Sequence, residues 1–478
     1  MTAIETTPET TPGTAPGTAS LTASGTAPEA VPGTAPEPAS ETAPGPRAGA
    51  GPAGKAAPRG PSLRRNRDFV LLWVGAGATA LGARVSSIAY PLLVIWATGS
   101  ASAAGLVGFA AALPNLVVQL HAGALVDRWD RRRTMILCDL GCLLAAAAVG
   151  VSVLAGHVWI PLLMAAAFVQ GSLAIFYRLA ERAAVRHVVP EHQLPAAMAG
   201  NEARGQAAGL LGLPAGSVLY TVARSSPFLF SAVAHTVSLV SLLLIRKDFQ
   251  DERTAAPASV TAELREGLAW TWKQRFLRFG MLLISGSNLL FQALSLALIV
   301  IVKEAGGSAA SIGVITAVSG VGGMFGALTG TFWMRRISLR GLLVGGSVGW
   351  ALLMPLVALT GHPVLLGAIF LVAAMIGSVT NVAGGVYQVG ITPDRLQGRV
   401  GGAMGLIGSG AASLGMLGGG FALEAFGATP TVYGIAAAMA ALALLSLLLP
   451  HTDYPESMRR PAPGDAPDPT TQEANQPA

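Results

Sequence analysis

Charge is scarce in this chain: Asp, Glu, Lys and Arg together make up 12% of its 478 residues, about half the share of an average soluble domain. A water-exposed globule of this length would need more surface charge to stay dispersed, so that class is excluded. Cysteine is nearly absent. Cys138 and Cys142, four residues apart in one apolar stretch, are the only two; they imply no disulfide framework and read as small packing hydrophobes. Asp139 stands between them, but no further His, Asp or Glu clusters with them to complete a metal set. A strand-borne phosphate loop, a Ser/His/Asp order and a histidine pair at metal spacing are all missing. The sequence therefore points away from an enzyme and implies neither metal nor cofactor. The N-terminus lacks the basic start and apolar core of a signal peptide.

What is abundant is apolar: 52% of residues, with 59 glycines besides, a balance suited to helices packed in lipid through small residues. Twelve apolar spans lie near 69–97, 102–126, 134–155, 158–178, 205–223, 227–245, 279–302, 309–333, 341–360, 363–388, 399–423 and 429–449. Each meets the roughly 20 residues a spanning helix needs. Of 31 Lys and Arg, 28 fall in the tails and alternate connections; the other connections hold Arg224 and Lys303, and Arg84 alone lies within a span. This asymmetry predicts a multi-pass protein of the cell membrane with both termini cytoplasmic, and it explains the basic residues without a nucleic-acid partner.

The expected fold is therefore an all-α membrane protein of twelve transmembrane helices in two pseudo-symmetric six-helix bundles. Residues 1–62, rich in Thr, Ala, Pro and Gly, read as a disordered cytoplasmic tail, and 451–478 as a second one. Residues 63–245 and 279–450 are the two bundles. Between them, 246–278 is a cytoplasmic linker in which Val260, Leu264, Leu268 and Trp272 recur every four residues, the pattern of a short helix on the membrane face or, equally, of an ordinary solvated linker helix. The halves echo each other: Phe69 and Phe276, like Gly123 and Gly330, stand 207 residues apart, and Gly99-Ser100 and Gly307-Ser308 stand 208 apart. Such matches in shared order suggest a duplicated six-helix unit.

The connection after span two reads Gly123-Ala-Leu-Val-Asp127-Arg128-Trp-Asp130-Arg131-Arg132-Arg133. With twelve spans in two repeats, it resembles the signature loop of the major facilitator superfamily, in which Gly, Asp, Arg and two further basic residues recur at this spacing; Asp130 replaces the signature's second glycine. Asn66-Arg-Asp-Phe69, Pro91-Leu-Leu-Val94, Val189-Pro190-Glu191 and Gly398-Arg399-Val400 are similar to the drug and siderophore exporters of that superfamily, the subgroup of macrolide- and enterobactin-type pumps. The resemblance implies a secondary transporter of major facilitator fold, working by alternating access. It implies proton-coupled export of a hydrophobic or amphipathic small molecule, such as an antibiotic, a secondary metabolite or a siderophore, by a monomer in the bilayer. An importer or lipid flippase of the same fold, or a non-transporting sensor, is the alternative.

Gly123, Asp127, Arg128, Arg131 and Arg132 form the expected conformational latch. Asp127 would face a neighbouring helix N-terminus, that of span eleven on the family pattern, an interaction of about 0.3 to 1 kcal/mol; Glu181 and Asp394 could add ion pairs. Gly209, Gly212, Pro214 and Gly216 in span five resemble the glycine-proline export motif. The same glycines also suit close helix packing, and Pro214 permits a bend.

Family architecture places spans one, four, seven and ten around a central cavity. Their polar residues are the cargo-site candidates: Arg84, Ser87 and Tyr90; Gln170 and Tyr177; Asn288, Phe291 and Gln292, with Ser295; and Asn381, Tyr387 and Gln388. Arg84 is the sharpest, because a charge within a span usually faces a cavity or a partner. Asp139, Glu202, Glu304 and Glu424 lie near span ends, while His121 and His235 read as packed histidines.

Overall fold

The computed structural model describes residues 63–247, 249 and 260–449. The two tails, and the disorder expected of them, lie outside the described residues. The chain runs as α1 (Arg67–Thr98), α2 (Ala101–Ala112), α3 (Pro114–Val117), α4 (Gln119–Arg128), α5 (Arg131–Leu154), α6 (Ile160–Val188), α7 (Leu194–Val222) and α8 (Ser226–Leu244). After α9 (Val260–Lys273) come α10 (Arg275–Glu304), α11 (Ala309–Met334), α12 (Leu339–Ala358), α13 (Pro363–Ile391), α14 (Gln397–Phe426) and α15 (Ala428–Ser446). No strand occurs among the described residues.

Local signals set the helix starts. Asn66, Ser100, Asp130 and Ser338 cap α1, α2, α5 and α12 by accepting from backbone N–H groups three residues on, and proline stands in the first turn of α6, α7, α8 and α13, where its missing N–H has no cost. Asp130, the departure from the signature loop, is thus a helix cap: its Oδ1 accepts from Arg133 N at 2.7 Å.

Ten of these helices are long and apolar enough to cross a membrane. The two other expected spans differ for physical reasons. Span two is divided into α2, α3 and α4; the first break falls at Pro114, which has no N–H for the α-helical ladder. Span five, α7, is one helix of 29 residues, but Asn201, Glu202, Arg204 and Gln206 make its first half polar.

Connections alternate between two ends of the bundle. One, the arginine end, carries the start of α1, the α4–α5 connection and α9; the far end carries the turns at Gly99, Gly156, Gly306 and Gly427, each with positive φ. Within the first half α1 packs on α7 and α8, and α5 on α6 and α8; within the second α10 packs on α14, α11 on α13, and α12 on α15.

Across the halves, α2 meets α14 and α7 meets α11. The apolar core reports where. One buried cluster, including Leu93, Val107, Phe228, Leu298, Ile312 and Val432, joins both halves at the far end. At the arginine end there are two separate clusters, one around Met135, Val185 and Leu242, the other around Phe276, Leu339 and Tyr387. Among the described residues the buried apolar core joins the halves at the far end and is divided between them at the arginine end.

Candidate functional site

The space between the parted halves is a cavity of four lobes that share walls. The first lobe, about 540 Å³, lies against α1, α6 and α7 and is lined by Thr79, Arg84, Ser87, Asn115, Tyr177, Arg178, Glu181, Arg182, Asn201, Glu202 and Arg204, among others. A central lobe of about 480 Å³ shares Arg84 and Ser87 with it and crosses to Gln292, Ser295, Ile299, Ile312, Phe370 and Met416. Two lobes of the second half, about 340 and 460 Å³, meet at Asn288 and Phe291; Trp350 and Asn381 line the former and Met404 and Gly408 the latter. Each lobe falls in the size range of drug-sized ligand sites.

Eight of the expected cargo-site residues line this space: Arg84, Ser87, Tyr177, Asn288, Phe291, Gln292, Ser295 and Asn381. Four do not. Tyr90 is buried against Phe228, ring centroids 5.1 Å apart. Tyr387 packs edge-on to Phe276 at 4.8 Å in the arginine-end core. Gln170 is half-buried, its Nε2 without a partner among the described residues, and Gln388 lies beside Gly401 of α14. Helical phase puts residues on a polar stripe; it does not say which neighbour that stripe meets.

The structure adds residues that hydropathy had assigned to a connection. Arg178 and Arg182 lie on α6, which runs ten residues past the expected end of span four, and Arg204 lies on α7, whose start precedes the expected one. A polar cavity lets these helices carry charge at depth. Their signal in the sequence was the i, i+4 spacing of Arg178 and Arg182. Arg204 Nη2 bonds Glu181 Oε1 at 2.5 Å, so Glu181 is engaged within its own half rather than with the latch.

Behind the first lobe lies a polar centre that sequence spacing did not reveal. Asp139 of α5 is fully buried; its Oδ1 accepts from Thr79 Oγ1 at 2.8 Å and stands 2.9 Å from Nδ1 of His235 on α8. An ionised carboxylate only accepts, so Nδ1 then carries a proton. Oδ2 has no partner among the described residues. His235 is therefore a partnered residue, not merely a packed one. Tyr177 Oη and Ser238 Oγ, 3.0 Å apart, complete the layer. The signal was the pair of polar residues in otherwise apolar spans, but 96 positions separate them.

Of the latch residues, Arg131 bonds the Phe249 carbonyl at 2.9 Å and stands 2.6 Å from His187 Nε2. Arg132 bonds the Leu242 and Leu243 carbonyls at 3.1 and 3.2 Å, where a cation meets the negative end of α8. Arg128 is exposed and Gly123 half-exposed; the Asp127 side chain lies outside the described residues. Asp394 accepts from Gln397 beside it. Inter-half polar contacts stand instead at the far end: Glu424 Oε2 of α14 accepts from Ala101 N at 2.8 Å and Ser102 N at 3.2 Å, at the start of α2, and Lys303 Nζ donates to the Ile95 carbonyl at 2.5 Å.

The span-five motif divides by role. Gly212 and Gly216 leave no room for a Cβ against Arg84, Val85 and Ile88 of α1, whereas Gly209 faces the cavity. Pro214 lies within α7, its carbonyl 3.2 Å from where a Cβ of Gly313 on α11 would stand.

A family model described as "Transmembrane secretion effector" matches residues 60–471. The chain belongs to that family. Its drug-efflux relatives within the major facilitator superfamily bear out the resemblance seen in the signature loop. The transporter is 26% identical to the multidrug efflux pump Tap of Mycolicibacterium fortuitum over 80% of this chain and 96% of that protein. It is 25% identical to macrolide efflux protein A of Streptococcus pyogenes over 45% of this chain and 54% of that one. Among solved structures it superposes on the nucleoside transporter NupG with a TM-score of 0.68 at 12% identity, covering 80% of this chain and 99% of NupG. A bacterial homologue of the lysosomal transporter Spinster gives 0.61 at 13% identity, over 81% and 96%. The fold is the major facilitator fold, and the protein is a multi-pass membrane transporter.

The transporter's linker helix is anchored from the second half. Arg399 of α14 pairs with Glu266 and, at 3.4 Å, with Glu263 of α9, and Gly267 lies directly on the Arg399 backbone. Leu268 and Trp272 are turned outward, 36% and 49% exposed. Arg399→Ala is expected to weaken this docking by no more than about 1 kcal/mol, since the pairs are solvent-accessible. Hydrogen exchange across 260–273 should quicken while α10–α15 stay protected; unchanged exchange would mean that the glycine contact alone holds the helix.

Proposed function

We propose that this transporter exports a hydrophobic or amphipathic small molecule by proton-driven alternating access, with both termini and the arginine end on the cytoplasmic side. The observation that carries the reading is the arrangement of the cores: one cluster spanning both halves at the far end, two separate clusters at the arginine end, and a drug-sized cavity between. With the basic connections inside, this state is open to the cytoplasm, from which an exporter loads. The efflux pumps among its relatives support the direction. Closing the arginine end while parting the far-end contacts of Glu424 and Lys303 would release cargo outside. The signature loop, Asp127 included, would latch that closed end.

Asp139 and His235 are the groups best suited to bear the coupling proton. The pair has no net charge when it holds one exchangeable proton and one negative charge without it. Thr79, which donates to Asp139, and Tyr177 both line the cavity, so one hydroxyl separates solvent from the carboxylate. Cys138 and Cys142 on α5 and Tyr177 and Glu181 on α6 are the other titratable groups around it.

Vesicles of both orientations test the reading with one probe of each charge, a radiolabelled macrolide (a cation at neutral pH) and fluorescein (an anion), transport of either being sufficient. Accumulation in inside-out vesicles under an inward-acid gradient is expected, with Asp139→Asn keeping cargo exchange but losing the response to the gradient. Accumulation only in right-side-out vesicles would sink export; gradient-driven uptake by the Asn variant would remove Asp139 from coupling.

A further inference from the structure

The walls of the cavity differ in charge. The first lobe carries four arginines against two glutamates. One arginine, Arg204, is matched by Glu181, and Glu202 accepts from Gln206 at 2.9 Å. Arg84, Arg178 and Arg182 have no hydrogen-bond or ion-pair partner among the described residues, and all three are exposed to the cavity they line. They are spaced in depth. Arg182 and Arg178 lie six and ten residues from the end of α6 at Val188, and Arg84 lies seventeen from the start of α1 at Arg67; at 1.5 Å per residue that is about 9, 15 and 25 Å from the arginine end. Gly212 of α7 packs on the base of the Arg84 side chain, which directs the guanidinium toward the open space.

The opposite walls are neutral. Among the residues lining the other three lobes Arg84 is the one charged side chain. They offer amides and hydroxyls from Asn288, Gln292, Ser295 and Asn381, and an aromatic pair, Phe291 and Trp350, with centroids 5.0 Å apart. Toward the far end the floor is apolar, formed by Ile299, Ile312 and Met416.

Unpaired cations at membrane depth are retained where they meet a ligand or a water-filled path. A ladder of three, leading from the mouth to the apolar floor, has the layout for a molecule with an acidic group at one edge and an apolar body at the other. We infer that the cargo is an amphipathic organic anion, its carboxylate, sulfonate or phosphate held by Arg84 and Arg178, its apolar body lying against Phe291, Trp350 and the floor. The guanidinium fork suits such oxyanions, because two parallel N–H donors meet two oxygens. Arg182, nearest the mouth, draws the anion in. The inference rests on the reading of this cavity as the cargo site, but not on the direction of transport.

A matched pair of xanthene dyes tests it: fluorescein, a carboxylate, and rhodamine 6G, a cation on the same ring system. With the full chain in phosphatidylcholine nanodiscs, fluorescein should bind at least about tenfold more tightly than rhodamine 6G. Arg84→Ala and Arg178→Ala should each weaken fluorescein binding by about tenfold without weakening rhodamine 6G, and Arg84→Lys and Arg178→Lys, which restore the charge without the fork, should recover only part of the loss. Rhodamine 6G binding as tightly as fluorescein, or alanine variants with unchanged fluorescein affinity, would overturn the inference. Repeating the titration with phosphatidylglycerol in the nanodisc identifies the source of the anion. Competition assigns the site to a phospholipid headgroup, and its absence to a soluble organic acid; either upholds the anionic chemistry. Binding is read without transport, so a vesicle result against export would leave this one standing.

Discussion

Gly105→Val should abolish transport while both six-helix halves remain folded. Gly105 on α2 meets α14 backbone to backbone: a Cβ there would stand 2.8 Å from the Met416 carbonyl oxygen and 2.9 Å from Cα of Gly420. Backbone cannot withdraw as a flexible side chain would, so the two helices must separate. Forced overpacking of this kind costs about 1 to 3 kcal/mol. Because the clash lies between the halves, that energy acts on the equilibrium between open states rather than on the fold of either half. A shift of this size changes the ratio of the two states by about fivefold to 150-fold, against the state sealed at the far end. Spin labels at positions 157 and 362, both exposed at that end and one in each half, should report a longer distance in the variant. An unchanged distance distribution with transport intact would mean that the α2–α14 contact does not seal the cavity.

His235→Leu should give the largest loss of stability of any single change in the first half. It would leave the Asp139 carboxylate, fully buried, with the Thr79 hydroxyl as its one described partner. Removing one member of a buried charged pair costs about 3 to 5 kcal/mol, since the other stays desolvated and uncompensated. Replacing both members by groups that need no charge partner avoids most of that cost. The double variant Asp139→Asn, His235→Leu should therefore melt well above the single His235→Leu protein in a thermal assay in detergent. A single variant that melts like the native transporter would show that His235 does not support the carboxylate.

The helices were legible because a bilayer imposes a simple rule: about 20 apolar residues for each crossing, with basic residues held outside. That rule found the membrane class. It failed where its premise failed. Arg178, Arg182 and Arg204 face a cavity rather than lipid, so a hydropathy window ends span four before helix α6 ends and begins span five after α7 has begun. Helical phase identified Asn288, Phe291, Gln292 and Asn381, yet the same logic also selected Tyr90 and Tyr387. A stripe about 100° wide covers both a cavity wall and the seam beside it, and the partners Phe228 and Phe276 that close those seams come from other helices.

By itself the sequence determined the all-helical membrane class, the clustering of basic residues at alternate connections and the signature loop of the superfamily, because each is a property of one local stretch in lipid or water. Only the tertiary structure decided which end is sealed, which polar side chains look into the cavity, and that Asp139 meets His235 across 96 residues. Those depend on the approach of helices far apart in the chain, and the packing that sets it, as at Gly105 and Gly420, exists only once both halves are folded.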